Sequence, residues 1–96
     1  MTDAFNREVS SGDMVARITD WGSGTPMIIV GTTPAGYLRS IIYNSNHEEF
    51  RKNSILRNTS NVVILDETLL RAMFCDEEKT EQYVQAYLEE KEKYRE

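Results

Sequence analysis

The chain has little with which to build covalent or metal-bound structure. It holds one cysteine, Cys75, and one histidine, His47, in 96 residues. A lone cysteine excludes an internal disulfide framework and a multi-cysteine metal site, and one histidine excludes a Cys2His2 or two-histidine centre within one chain. Long apolar runs are missing too. The longest, Met27-Ile28-Ile29-Val30, is far short of the ~18 residues of a membrane span. The first residues, Met1-Thr2-Asp3-Ala4-Phe5, have neither the basic region nor the apolar region of a secretory signal. A small cytoplasmic protein without a membrane segment is expected. Only two prolines and one tryptophan, Trp21, are present, and there is no internal repeat or low-complexity tract.

The length admits one compact domain, residues 1–96, and not two independent cores. Of the residues, 40% are hydrophobic and 28% charged, as in ordinary globular chains. The charge is uneven. The formal net charge is −5, yet residues 1–65 carry six basic and six acidic groups, and the excess lies in residues 66–96, with five basic and ten acidic. An acidic terminal segment repels phosphate backbones and favours basic protein partners. A local basic cluster, Arg51-Lys52 with Arg57, remains in the neutral part.

The front of the chain reads as strands. A possible helical turn at residues 4–8 opens a loose start. Ser11-Gly12-Asp13 is a turn leading into a strand over residues 14–19, with Met14, Ala16 and Ile18 on one face. A Gly-rich loop, 20–26, precedes the strand 27–30. Residues 37–43 alternate Leu38, Ser40 and Ile42 against Tyr37, Arg39, Ile41 and Tyr43. The polar turn 44–47 leads to a short fourth strand, 48–52. A tight helical turn is expected at 53–56, where Asn53 and Ser54 are good caps, and a last strand at 62–65. The period then changes. Asp66 is placed to cap a short helix over 67–74 that buries Leu69, Leu70 and Met73. A second helix runs from Asp76 to about Tyr94, with Tyr83, Val84, Tyr87 and Leu88 in one apolar stripe. Acids at its start and Lys91, Lys93 and Arg95 at its end suit the helix macrodipole.

Five short strands, with no room for parallel crossovers, predict antiparallel pairing. The expected fold is mainly β with a C-terminal α part: a small SH3-like antiparallel barrel over residues 12–65, followed by a helical extension, 66–96, packed on it or projecting from it. The order Gly12-Asp13-Met14-Val15, a loop, then Pro26-Met27-Ile28-Ile29-Val30, with Glu49, Phe50 and Leu56 after the polar turn, resembles small bacterial and phage SH3-like barrels, including KOW-type modules. The resemblance covers residues 12–65. It implies a binding module for protein or nucleic acid with no cofactor. With its acidic helix, the chain is also similar in style to small phage accessory proteins that bind a larger machine.

The inventory for catalysis is thin. Cys75 stands beside Asp76, Glu77 and Glu78, whose charge disfavours a thiolate. His47 lies in an Asn-rich turn beside Glu48 and Glu49, adjacent in sequence and poorly disposed to converge on a metal. Gly31-Thr32-Thr33-Pro34-Ala35-Gly36 is followed by a strand, not by the Lys-Ser/Thr and helix of a phosphate loop. No enzyme, metal or cofactor is expected.

The surface residues are more telling. Trp21 in a Gly-rich loop either lines a ligand groove or folds back over the barrel. Tyr37, Arg39 and Tyr43 share a strand face and form an aromatic and basic platform, unless the tyrosines pack against the C-terminal helix. The leading expectation is a non-enzymatic protein-interaction module with Trp21, Tyr37, Arg39, Tyr43, Glu89 and Glu90 at the partner surface, the acidic helix meeting a basic surface. The alternative is a nucleic-acid-binding barrel using Arg51, Lys52 and Arg57 with the tyrosine face. Self-association through the C-terminal helix stays open as a third use of that helix.

Overall fold

The structure is a computed structural model, and it describes residues 1–18, 25–44, 46–74 and 77–95. Trp21, Cys75 and Asp76 lie outside the described residues. Five strands, β1 (Met14–Arg17), β2 (Met27–Thr32), β3 (Leu38–Asn44), β4 (Glu49–Leu56) and β5 (Val62–Leu65), precede two helices, α1 (Glu67–Ala72) and α2 (Glu77–Glu92). The strands form one antiparallel sheet in the order β4-β3-β2-β1-β5.

The apolar run of β2 makes sense from this order. β1 and β2 are inner strands buried on both faces, so they need no alternation of apolar and polar residues. Met14, Ala16 and Ile28 face the helices and join Ile41, Val63, Leu65, Leu70, Met73, Val84 and Tyr87 in one cluster. Val15, Met27 and Ile29 face the other way and meet Val9, Leu38, Leu56 and Val62. Leu56 closes β4 and Val62 opens β5, so the two outermost strands share one apolar cluster and the sheet is strongly curled. No ladder joins β4 to β5 among the described residues.

Two irregularities curl it. The β2–β3 register shifts between Ile29 and Gly31, leaving Val30 as an extra residue. The β3–β4 register shifts between Arg39 and Ile41, so Ser40 opposes both Asn53 and Ser54. Ser40 is buried, and its hydroxyl donates to the Ser54 carbonyl at 3.0 Å. Both bulges sit at the same level of β3, on either side of it. A bulge bends its strand and raises the local twist, and two side by side fold the β3–β4 hairpin away from the sheet plane. The second bulge also accounts for Asn53–Leu56: capping residues suggested a helical turn there, but β4 runs on through the bulge to Leu56.

The helices follow their expected signals. The Asp66 carboxylate accepts from the Leu69 N–H at 2.8 Å and caps α1. Val84 and Tyr87 of the α2 stripe are buried on the sheet, and Tyr83 and Leu88 are half-buried. The stripe therefore packs on the strands. The Tyr87 hydroxyl donates to the Pro26 carbonyl at 2.7 Å and accepts from the Tyr43 N–H at 3.3 Å, pinning the helix to β3 and to the start of β2. Arg71 bridges Glu67 and Glu81 and ties α1 to α2.

The N-terminus is better ordered than its sequence suggests. Residues 2–8 form a turn closed by a Thr2–Glu8 bridge. At its centre the Asp3 carboxylate is buried and accepts from the N–H groups of Phe5, Arg7 and Ile64 and from the Arg7 guanidinium, all at 2.9–3.2 Å. Burial pushes this carboxyl up, but those donors together outweigh it and hold its pKa at about 2, against an ordinary 3.8. No described helix is long and apolar enough to cross a membrane.

Candidate functional site

The β3–β4 hairpin carries the most distinctive surface. Its register places Arg39 opposite Ile55, Ile41 opposite Lys52 and Tyr43 opposite Phe50. Directly opposed residues share a sheet face. Extending the same register one step beyond Leu38–Leu56 sets Tyr37 opposite Arg57, and the Arg57 guanidinium stands over the Tyr37 ring at 5.7 Å. One face therefore runs Tyr37/Arg57, Arg39/Ile55, Ile41/Lys52, Tyr43/Phe50.

α2 covers one end of that face and leaves the other open. Tyr43 and Phe50 are half-buried against it, with ring centroids 5.2 Å apart, and Tyr43 lies 5.7 Å from Tyr83 and 6.4 Å from Tyr87. Arg39, Lys52, Ile55 and Arg57 stay exposed, and 49% of the Ile55 surface is accessible. Between the open part and the end of α2 lies a groove of about 630 Å³. Val30, Ile41, Phe50 and Ile55 give it an apolar floor, Arg39 and Lys52 its positive charge, and Glu90 and Tyr94 the far wall. Both bulges open into it, through Val30 and Asn53. The bend that curls the sheet is thus what creates the groove.

Local structure holds the open end in place. The Thr33 N–H donates to the Tyr37 carbonyl at 2.7 Å, and the Tyr37 N–H returns to Thr33 Oγ1 at 3.1 Å. Gly36 completes this tight β2–β3 connection at φ +87°, a conformation that suits glycine.

Electrostatically the face is one-sided. Among the described residues, Arg39, Lys52 and Arg57 have no ion-pair partner. The single carboxylate lining the groove among the described residues, Glu90, is already engaged. It accepts from Lys93 at 2.9 Å and lies 3.5 Å from the Tyr94 hydroxyl, with its side chain 17% exposed. A positive, partly apolar face therefore stands on a chain of net charge −5.

The expected site residues separate accordingly. Tyr37 and Arg39 of the aromatic platform meet Lys52 and Arg57 of the basic set on one face. Tyr43 shares that face but packs under α2. Arg51 points to the opposite side of β4, where it pairs with Glu49 at 2.9 Å. Glu89 is exposed on α2, and Glu90 is turned to the groove. His47 is exposed in its turn. Among the described residues no three His, Cys, Asp or Glu side chains converge as metal ligands. Val30, Asn53, Ile55 and Tyr94 are groove residues that sequence reasoning did not find. Strand alternation continued past Lys52 points to Ser54 and Leu56; only the bulge at Asn53–Ser54 brings Ile55 onto the Lys52 face.

Compared with protein-family models, with curated proteins and with solved structures, the chain matches none.

Proposed function

We propose that the chain is a non-enzymatic protein-interaction module that holds an acidic segment of a protein partner on the open β3–β4 face. The observation that carries this reading is the grouping of Arg39, Lys52 and Arg57, none of them ion-paired among the described residues, with Tyr37 and the exposed Ile55 beside a partly apolar groove. Unpaired cations on an apolar floor favour a partner with acids and some apolar surface, since each ion pair is strengthened where water is partly excluded. In this reading the scaffold is an SH3-like barrel. The strand order and the cluster shared by Leu56 and Val62 support it, and the curl of the sheet sets the groove.

The same face suits a single-stranded nucleic acid in one respect, the Tyr37–Arg57 stack beside two further cations. The acidic surface of α2 next to the groove and the net charge of −5 weigh more against a phosphate backbone, which carries a charge on every nucleotide, than against a short segment whose acids are interspersed with apolar residues.

The test is affinity capture from source-cell lysate with the wild-type chain and with a triple variant, Arg39→Glu/Lys52→Glu/Arg57→Glu, each with and without nuclease. The expected result is a protein retained after nuclease and lost with the triple variant, whose circular dichroism matches wild type. Recovery that vanishes with nuclease overturns the protein reading in favour of nucleic acid. A partner that the triple variant retains equally well removes this face from the function.

A further inference from the structure

The two edges of the sheet are treated differently. The outer edge of β5 is covered by the N-terminal turn: the Ala4 N–H donates to the Val62 carbonyl at 2.8 Å, the Ile64 N–H to Asp3 Oδ2 at 3.2 Å, and Arg7 Nη2 to the Ile64 carbonyl at 3.1 Å. Among the described residues, β4 at the opposite edge is the longest strand, eight residues, and is paired on one side only, with β3. An open edge is a row of unpaired donors and acceptors that templates a further strand.

We infer that β4 is a strand-addition site: an extended, acidic segment of a partner protein pairs with its free edge. The inference rests on the reading of the β3–β4 face as a protein-binding surface and says how the segment is held. A strand laid along β4 presents alternate side chains to the groove face. Acids on that side then lie beside Lys52, with Arg39 one strand further in, roughly 10 Å away, adding positive charge, and main-chain hydrogen bonds supply an attachment indifferent to sequence. The exposed Ile55, on β4 itself, gives the segment apolar surface to cover.

Charge selects the occupant. β4 carries Arg51 and Lys52 near its middle, and its one acid, Glu49, is paired with Arg51. A second copy paired antiparallel about the middle of β4 would bring the Arg51-Lys52 pairs of both strands close together, and like charges across a ladder are destabilising. Positive charge on an open edge thus repels another copy and admits a strand of opposite sign. The bulge at Asn53–Ser54 serves the same end, since it interrupts a flat ladder with an identical edge.

The experiment uses the full chain, isotopically labelled, titrated with an acetylated nonapeptide of alternating Glu and Val and read by amide chemical shifts and hydrogen exchange. Strand addition predicts that alternate β4 amides, those not bonded to β3, exchange roughly tenfold or more slowly at saturation, and that Arg39→Glu/Lys52→Glu abolishes the effect. Shifts around Arg39 and Lys52 with β4 exchange unchanged overturn strand addition while leaving the binding face standing. No shifts anywhere overturn both. Protection of β4 amides that is already present without peptide and rises with protein concentration overturns the inference in favour of self-pairing.

Discussion

Removing the Asp3 carboxylate is the sharpest test of how the sheet is held. This group accepts hydrogen bonds from three backbone N–H groups and pairs with Arg7 at 2.8 Å, with its side chain fully buried. Its pKa falls from 3.8 to about 2 on folding, which corresponds to about 2 kcal/mol of stability at neutral pH. A depressed carboxylate contributes fully above its unfolded pKa and loses its contribution as pH falls through the folded value, so the window is roughly pH 4 down to pH 2. Asp3→Ala also strands the buried donors it served, and the combined cost is about 2–4 kcal/mol. Asp3→Asn keeps the shape but turns an amide N–H₂ towards donors, and costs about 2 kcal/mol. For a domain of this size that lowers Tm by roughly 8–16 °C. The assay is urea unfolding followed by far-UV circular dichroism at several pH values between 7 and 2. The wild-type advantage over Asp3→Asn should be full at pH 5 and nearly gone by pH 2. An advantage that stays constant across that range, or that never exceeds about 0.5 kcal/mol, refutes the reasoning. Size-exclusion chromatography adds a second readout, because loosening the N-terminal turn uncovers the β5 edge and should promote association.

Tyr87→Phe should cost about 1–2 kcal/mol in urea unfolding, since it leaves the Pro26 carbonyl and the Tyr43 N–H without their partner. Burial pushes the Tyr87 phenol far up. Its contribution therefore holds below the unfolded phenol pKa and is lost only as pH rises through the folded one, so ultraviolet titration should find one of the five tyrosines ionising only as the protein unfolds. Gly12→Ala should destabilise by about 1–2 kcal/mol, because Gly12 has φ +91° and an added Cβ would meet the Arg95 backbone at 3.2 Å. It should also perturb the Tyr94 resonances at the groove wall. A wild-type Tm for this variant would show that the end of α2 is not seated on Gly12.

The legible parts of this chain were those whose signal is local. β1, β2, β3 and β5 announced themselves through β-branched runs between turn residues, and Asp66 through its cap. The α2 stripe was readable because 3.6-residue periodicity fixes which side chains share a face before anything is packed on it. The shared face of Tyr37, Arg39 and Tyr43 followed in the same way from the period of two.

Tertiary structure decided the rest. Nothing local to Tyr43 says that α2 lies over it while Tyr37 and Arg39 stay open, because that depends on where a helix more than thirty residues later docks. The strand at Asn53–Leu56 was hidden for a similar reason: good capping residues occupy a bulge that exists only against Ser40 of the neighbouring strand. Asp3, which reads as an ordinary acid in a loose start, is buried because the β5 edge, some sixty residues away, supplies donors to it. The sequence by itself determined most of the elements, the faces of β3 and α2, and the excess of acid in the last third. Which cations lie unpaired together, which edge is covered and which is open were settled by contacts between residues far apart in the chain, where burial and hydrogen-bond satisfaction outweigh local preference.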